Sequence, residues 1–261
     1  MPELIETVEQ GVATLTFNRP ERMNALSTPI MEGSLHGLPR LSDDPAVRVI
    51  VLTGAAAPSA PGGDVKSMAE GGDRRSASEA TAHLRSRMEV SRILHDLPKP
   101  TIAMINGPAA GAGLALALAC DLRIAGASAR LVTAFVKVGL SGDFGGSFFL
   151  TRLVGTAKAR GLYFTGRPID AQEALSLGLV NRVVPDDQLG DATTDLARSL
   201  AQGPLVALRL MKRNMNHAES SGLAELLDME AANMVQLAST EDHREAAKAF
   251  VEKRAPIFTG R

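Results

Sequence analysis

The chain has 261 residues, with 28 lysines and arginines against 29 aspartates and glutamates, one cysteine, one tyrosine and no tryptophan. With 45% hydrophobic residues it can bury a substantial core, which excludes a disordered chain; a formal net charge of −1 and 3% aromatics exclude a dedicated nucleic-acid binder, which needs a basic face and rings for base stacking. Cys120 has no partner for an internal disulfide, and five scattered histidines without paired cysteines give no zinc-like spacing, so a metal-free intracellular protein is expected.

The opening MPELIETVEQ carries three glutamates and no basic segment ahead of an apolar one, and the final Thr-Gly-Arg matches no lipidation or peroxisomal signal; cytoplasmic placement is expected. Strand-like runs follow at Val12 to Phe17, Val47 to Thr53, Thr101 to Ile105, Asp121 to Ala125 and, more weakly, Arg130 to Phe135. Helix-like segments lie between them at Pro29 to Leu41, Ala82 to Leu97 and Ala109 to Ala119, an α/β alternation. Thr101 to Cys120 runs twenty residues without a charge, the length of a membrane span. Asn106, Gly107, Pro108, Gly111 and Gly113 interrupt it, so it reads as strand, loop and buried helix, and no membrane association is expected. From about Leu189 the pattern is helical throughout: Leu189 to Ala201, Leu205 to Ala218, Leu223 to Leu237 and Thr240 to Lys253. Its apolar stripe of Met211, Met215, Leu226, Leu227, Met229 and Met234 could pack on the chain's own core or on a neighbouring subunit, and taken alone reads as ordinary core.

Two loops are placed to bind a ligand, Ser59-Ala60-Pro61-Gly62-Gly63-Asp64-Val65 and Asn106-Gly107-Pro108-Ala109-Ala110-Gly111-Ala112-Gly113. Each follows a strand and enters a helix, where small residues admit a ligand to the backbone and helix-start N–H groups face negative charge. Two N–H groups converging on one point would form an oxyanion hole. Neither loop matches a phosphate or dinucleotide pattern, and on spacing alone plain turn chemistry, with Asp64 as a helix cap, explains them better.

The succession of motifs is more specific than any one of them. Asn18-Arg19-Pro20, Met23-Asn24-Ala25-Leu26, VIVLTG, the Gly-Gly-Asp loop, KPTIA, NGPAAGAG, CDLRIA, Gly145-Gly146, TGRPIDAQEALSLGLVNRVVP and the ending AFVEKRAPIF together resemble the crotonase superfamily, the enoyl-CoA hydratase/isomerase family, over almost the whole chain. The resemblance implies a spiral of ββα units carrying the active site over residues 1–190. It implies a helical oligomerisation region over 191–261, a homotrimer or dimer of trimers, and a coenzyme A thioester as substrate with no separate cofactor.

It also implies two oxyanion donors, one at the Ala112 N–H and the other at the residue three before Asp64. That residue is Pro61, which has no N–H; either Gly62 donates in its place or half the hole is missing. The glutamates that flank a water in the family's hydratases correspond to Ala115 and Phe135, neither of which can move a proton. Asp121 lies beyond the buried helix, where a structural cap is its expected role. Asp143, in Gly139-Leu140-Ser141-Gly142-Asp143-Phe144-Gly145-Gly146, stands where some isomerases of the family carry an aspartate. An Asx-turn would also account for it, but a carboxylate beside Phe144, Phe148 and Phe149 would be desolvated and suited to proton transfer. For coenzyme A, the resemblance points to Arg22, Ala25, the backbone from Ala60 through Pro61, Gly62 and Gly63 to Asp64, Lys66, the backbone of Gly111 and Ala112, and Phe250 with Lys253. The leading expectation is double-bond isomerisation of an enoyl-CoA with Asp143 as proton shuttle. Hydration to a 3-hydroxyacyl-CoA using Asp143 and water, and a non-catalytic acyl-CoA-binding homologue, are the alternatives.

Overall fold

The computed structural model describes residues 1–55, 62 and 75–261. The chain opens with a hairpin, β1 (Leu4–Glu9) and β2 (Val12–Phe17), joined through Gln10 and Gly11 at φ 50° and 82°. Positive φ at both corner residues matches the twist of the strands it joins. β1 is mostly exposed, so its sequence carries no buried alternation to announce it. In β2, Ala13, Leu15 and Phe17 alternate inward.

A helix α1 (Thr28–Asp43), capped by the Ser27 side chain accepting from the Ile30 N–H, leads to β3 (Val49–Gly54), buried along its whole length. Helix α2 (Ala77–Asp96) starts five residues before the expected Ala82, because Ser76 and Glu79 close a reciprocal capping box that adds a turn. Then the chain repeats one figure: β4 (Thr101–Ile105), β5 (Pro108–Ala110) and α3 (Gly111–Ala119), followed by β6 (Leu122–Gly126), β7 (Arg130–Val132), α4 (Gly146–Val154) and α5 (Thr156–Thr165). The expected strand to Phe135 stops at Val132; Ala134 sits at φ 58° and Phe135–Val138 form a 3₁₀ turn. Next come β8 (Ile169–Asp170), α6 (Ala171–Ser176) and β9 (Arg182–Val184).

The larger sheet has the order β1-β2-β3-β4-β6-β9 and is parallel from β2 onward; a smaller one has the order β5-β7-β8. Successive units thus give one strand to each sheet before a helix returns the chain, which is the ββα spiral. All nine residues of α3 are buried, so it forms the molecule's axis, with Leu114 and Leu116 to Leu118 among the main core.

The other sheet face is covered by α7 (Leu189–Ala201), whose Ala197 and Ala201 pack on Val49, Val51 and Ile102. The helices α8 (Leu205–Ala218), α9 (Leu223–Ala238) and α10 (Glu241–Glu252) complete the chain. Lys212 on α8 reaches the core, donating to the carbonyls of Leu94 and Lys99 and to Asp121 Oδ2 at 2.9 Å. Asp121 also accepts from the Thr101 N–H and hydroxyl, so its structural role is larger than a cap. The methionine stripe departs from the ordinary-core reading: Met211, Met215, Leu227 and Met234 are 52–71% exposed in the single chain. No described helix is long and apolar enough to cross a membrane, and the uncharged run Thr101 to Cys120 is divided among β4, β5 and α3.

Candidate active site

Ala112 is the second residue of α3, one of the first-turn positions whose N–H has no partner within the helix. Gly62 lies against it. A Cβ placed on Gly62, at φ +91°, would come within 2.6 Å of the Ala110 carbonyl and 3.1 Å of the Ala112 nitrogen. Glycine is therefore required twice over, for the backbone angle and for the close approach. The Gly62 carbonyl accepts from the Leu26 N–H at 2.8 Å. That corner is fixed in turn by Asn24 Nδ2 donating to Ala55 and by Arg19 Nη1 donating to Ala25, each through a backbone oxygen. Gly62 and the Arg22–Leu26 turn thus meet over the start of α3.

Asp143 stands on a loop in which Gly139, Gly142, Phe144 and Gly145 all have positive φ. Its carboxylate does not cap the helix that follows. Gly145 is the N-cap of α4 and supplies no side-chain bond, while the Gly146 N–H goes to the Asp143 main-chain oxygen at 3.0 Å. Asp143 Oδ1 is buried with no hydrogen-bond partner. Burial raises the Asp143 pKa above the usual carboxylate range, and the Arg87 guanidinium partly opposes the rise. Of the three phenylalanines expected around it, Phe144 and Phe149 are buried, whereas Phe148 turns outward beneath the Arg152 guanidinium, 3.4 Å from the ring centre.

Arg87 and Tyr163 join this cluster, and neither was expected from the sequence. Arg87 comes from α2; its Nε is buried without a partner, and burial lowers its pKa while Asp143 raises it. Tyr163, on α5, stacks on Phe135 with ring centres 6.0 Å apart and planes 12° apart. A Cβ on Gly146 would lie 2.5 Å from the Tyr163 hydroxyl and 3.2 Å from the Ala115 methyl, and one on Gly142 would lie 3.3 Å from the same hydroxyl. Burial, then the Asp143 charge, push the Tyr163 phenol up to about 12. The surroundings of Ala115 and Phe135 are therefore filled by Tyr163. Its one sequence signal is being the single tyrosine of the chain, which says nothing of where α5 docks.

The enoyl-CoA hydratase/isomerase family model matches residues 7–261. This chain belongs to that family. It is 38% identical over 261 residues to the 1,2-epoxyphenylacetyl-CoA isomerase of Escherichia coli, covering 100% of both chains. To the trans-2-decenoyl-[acyl-carrier-protein] isomerase of Streptococcus mutans it is 33% identical, covering 99% of this chain and 98% of the relative. The crystal structure of an enoyl-CoA hydratase from Bacillus anthracis superposes with a TM-score of 0.93 at 32% identity, covering 99% of this chain and 100% of the other.

As a member of the enoyl-CoA hydratase/isomerase family the chain is an enzyme, with the crotonase fold and a site consistent with an acyl-CoA substrate. The residues the family pattern assigns to coenzyme A fall into three groups. Arg22 is half-buried and Ala25 buried on the turn held against Gly62, and Gly111 and Ala112 open α3 beneath it. Ala60, Pro61, Gly63, Asp64 and Lys66 lie outside the described residues. Phe250, 86% exposed, and Lys253, which ends α10 in a left-handed conformation, stand on the outer surface. Among the described residues no three metal-ligating side chains cluster.

Proposed function

We propose that this enzyme binds an enoyl thioester of coenzyme A and moves its double bond, with the N–H groups of Gly62 and Ala112 on the thioester oxygen and Asp143 as the proton carrier. The observation that carries this reading is Asp143 Oδ1, buried without a hydrogen-bond partner on a carboxylate that does not cap the helix after it. Asp143 takes a proton from the carbon next to the thioester or from the far side of the double bond. The electron pair spreads into a dienolate whose oxygen the two N–H groups hold, each contributing about 3 kcal/mol in a water-excluded site. The protonated Asp143 then returns the proton at the other carbon, so no atom is gained or lost.

The same reading places coenzyme A along the Arg22–Ala25 turn, where a guanidinium suits its phosphates. It also takes the exposed apolar side chains of α8 to α10 as a self-association surface that brings Phe250 and Lys253 to a neighbouring subunit's ligand. A second reading, hydration, is favoured by the relatives named hydratases. Against it, Ala115 and Phe135 hold no carboxylate, and Asp143 would have to serve with a water alone.

Incubation with 2-enoyl- and 3-enoyl-CoA in deuterated water separates these readings. Interconversion with deuterium in the acyl chain, reduced at least ~100-fold in Asp143→Asn, is the expected outcome. A 3-hydroxyacyl product would put hydration in its place. Tight thioester binding with neither deuterium uptake nor product would make the protein a non-catalytic binder.

A further inference from the structure

Helix α7 packs on Val49, Val51 and Ile102, the face of the sheet opposite α3, and between this helix and the hairpin strands β1 and β2 a crevice of about 210 Å³ remains. That volume equals roughly seven waters and falls below the usual size of a drug-binding pocket, so it suits one small metabolite. Its floor is apolar, formed by Val51, Met104 and Ala197. Its walls are polar. Thr14 pairs in register with Val51 and stands beside it on the same face, and Thr193, 2% exposed, has its hydroxyl oxygen buried without a hydrogen-bond partner.

Glu9 and Arg198 also line the crevice, and they share one end of it. A Cβ on Gly11, at the corner of the hairpin, would lie 3.6 Å from the Ala201 methyl, so the last turn of α7 rests on that corner. Glu9 stands two residues before Gly11, and Arg198 one helical turn before Ala201. The floor runs away from this end, because Glu9 pairs with Val12, Thr14 with Val51 two residues further on, and Met104 follows the Leu52–Ala103 pair. Among the described residues neither Glu9 nor Arg198 forms an ion pair, so a carboxylate and a guanidinium flank the same crevice end without neutralising each other.

The geometry points to a binding site for a free α-amino acid with an apolar side chain, Glu9 taking the ammonium group, Arg198 the carboxylate, and Val51, Met104 and Ala197 the side chain. An α-amino acid carries opposite charges at one end of an apolar body, which is the pattern this crevice complements. A ligand with only one of the charges leaves Glu9 or Arg198 unmatched. Both side chains are exposed, so each charge pair adds modest selectivity and binding is about millimolar. The crevice lies across the sheet from Ala112 and Asp143, and the inference is independent of the thioester reading.

Ligand-observed NMR titrations of the full chain with L-leucine test it, beside 3-methylbutylamine and 4-methylpentanoate, which keep the apolar body and one charge each. Leucine should bind the wild type roughly two- to fivefold more tightly than either analogue. Glu9→Gln should remove the advantage over 4-methylpentanoate and keep that over 3-methylbutylamine; Arg198→Gln should do the reverse. Both positions are exposed, so neither change touches the core. If leucine shows no binding to the wild type at about 20 mM, binds no better than the analogues, or keeps both advantages in the two variants, the inference fails.

Discussion

At Gly146 the room for a methyl group is already occupied by the Tyr163 hydroxyl, 2.5 Å from where that carbon would sit. The backbone there is ordinary helix, so Gly146→Ala tests space alone. It should destabilise the protein by about 1–3 kcal/mol, as overpacking does. Adding Tyr163→Phe should recover most of that loss, a non-additivity that urea denaturation of the single and double variants reads directly. Arg87 permits a different test. Burial raises the Asp143 pKa and the Arg87 charge opposes it, while Tyr163 from α5 faces the same carboxylate as a neutral group. Arg87 itself also feels Arg75 and Glu32. In the proposed mechanism Asp143 must be ionised to act as base, so activity should be lost as pH falls through its pKa. Arg87→Met leaves burial unopposed, and the acid limb of kcat/KM should move to higher pH; a limb that stays in place or moves down would separate Arg87 from Asp143.

Among the elements, α8 is tied to the spiral by a buried cation, beside the Asn216 side chain donating to the His95 carbonyl. Lys212, with its side chain 9% exposed, has three oxygen partners on segments that end α2, begin β4 and follow α3. Lys212→Met should cost about 2–3 kcal/mol, toward the low end for a broken buried pair because Asp121 keeps its two bonds to Thr101 and some solvent. The midpoint of denaturant unfolding measures it, and a loss under 0.5 kcal/mol, the level of an ordinary surface site, would show that the pair is not a tie. Elements with strong local signals were legible in the sequence: β2, β3 and β4 by their apolar β-branched runs, α7 to α10 by period, α3 by its small-residue start. The early start of α2 was also written there, as Ser76 and Glu79. β1 and the end of β7 were not, since one is exposed and the other is cut short by a left-handed alanine.

For the whole molecule, Leu223, Leu227 and Met234 form an exposed stripe along α9, and Met211 and Met215 on α8 and Phe250 and Val251 on α10 are exposed as well. So many large apolar side chains on one terminal region exceed what a solvated surface of a single chain usually carries. Sedimentation should give a multiple of the chain mass, and Leu227→Glu with Met234→Glu should shift it toward the single chain without changing the far-ultraviolet spectrum. A wild type that sediments as one chain would remove the association surface, and with it the part proposed for Phe250 and Lys253.

The sequence by itself determined the family, through its succession of motifs, and through that resemblance the spiral; it also records the lack of carboxylates at residues 115 and 135, because these depend only on which side chains are present. It left Asp143 open between a cap and a free carboxylate, and it gave no role to Arg87 or Tyr163. Those matters belong to the docking of α2, the 139–145 loop and α5 around α3. Helices distant along the chain bring their side chains together there, and the desolvation that follows, which no spacing records, raises the Asp143 and Tyr163 pKa values and leaves Asp143 Oδ1 and Arg87 Nε buried without hydrogen-bond partners.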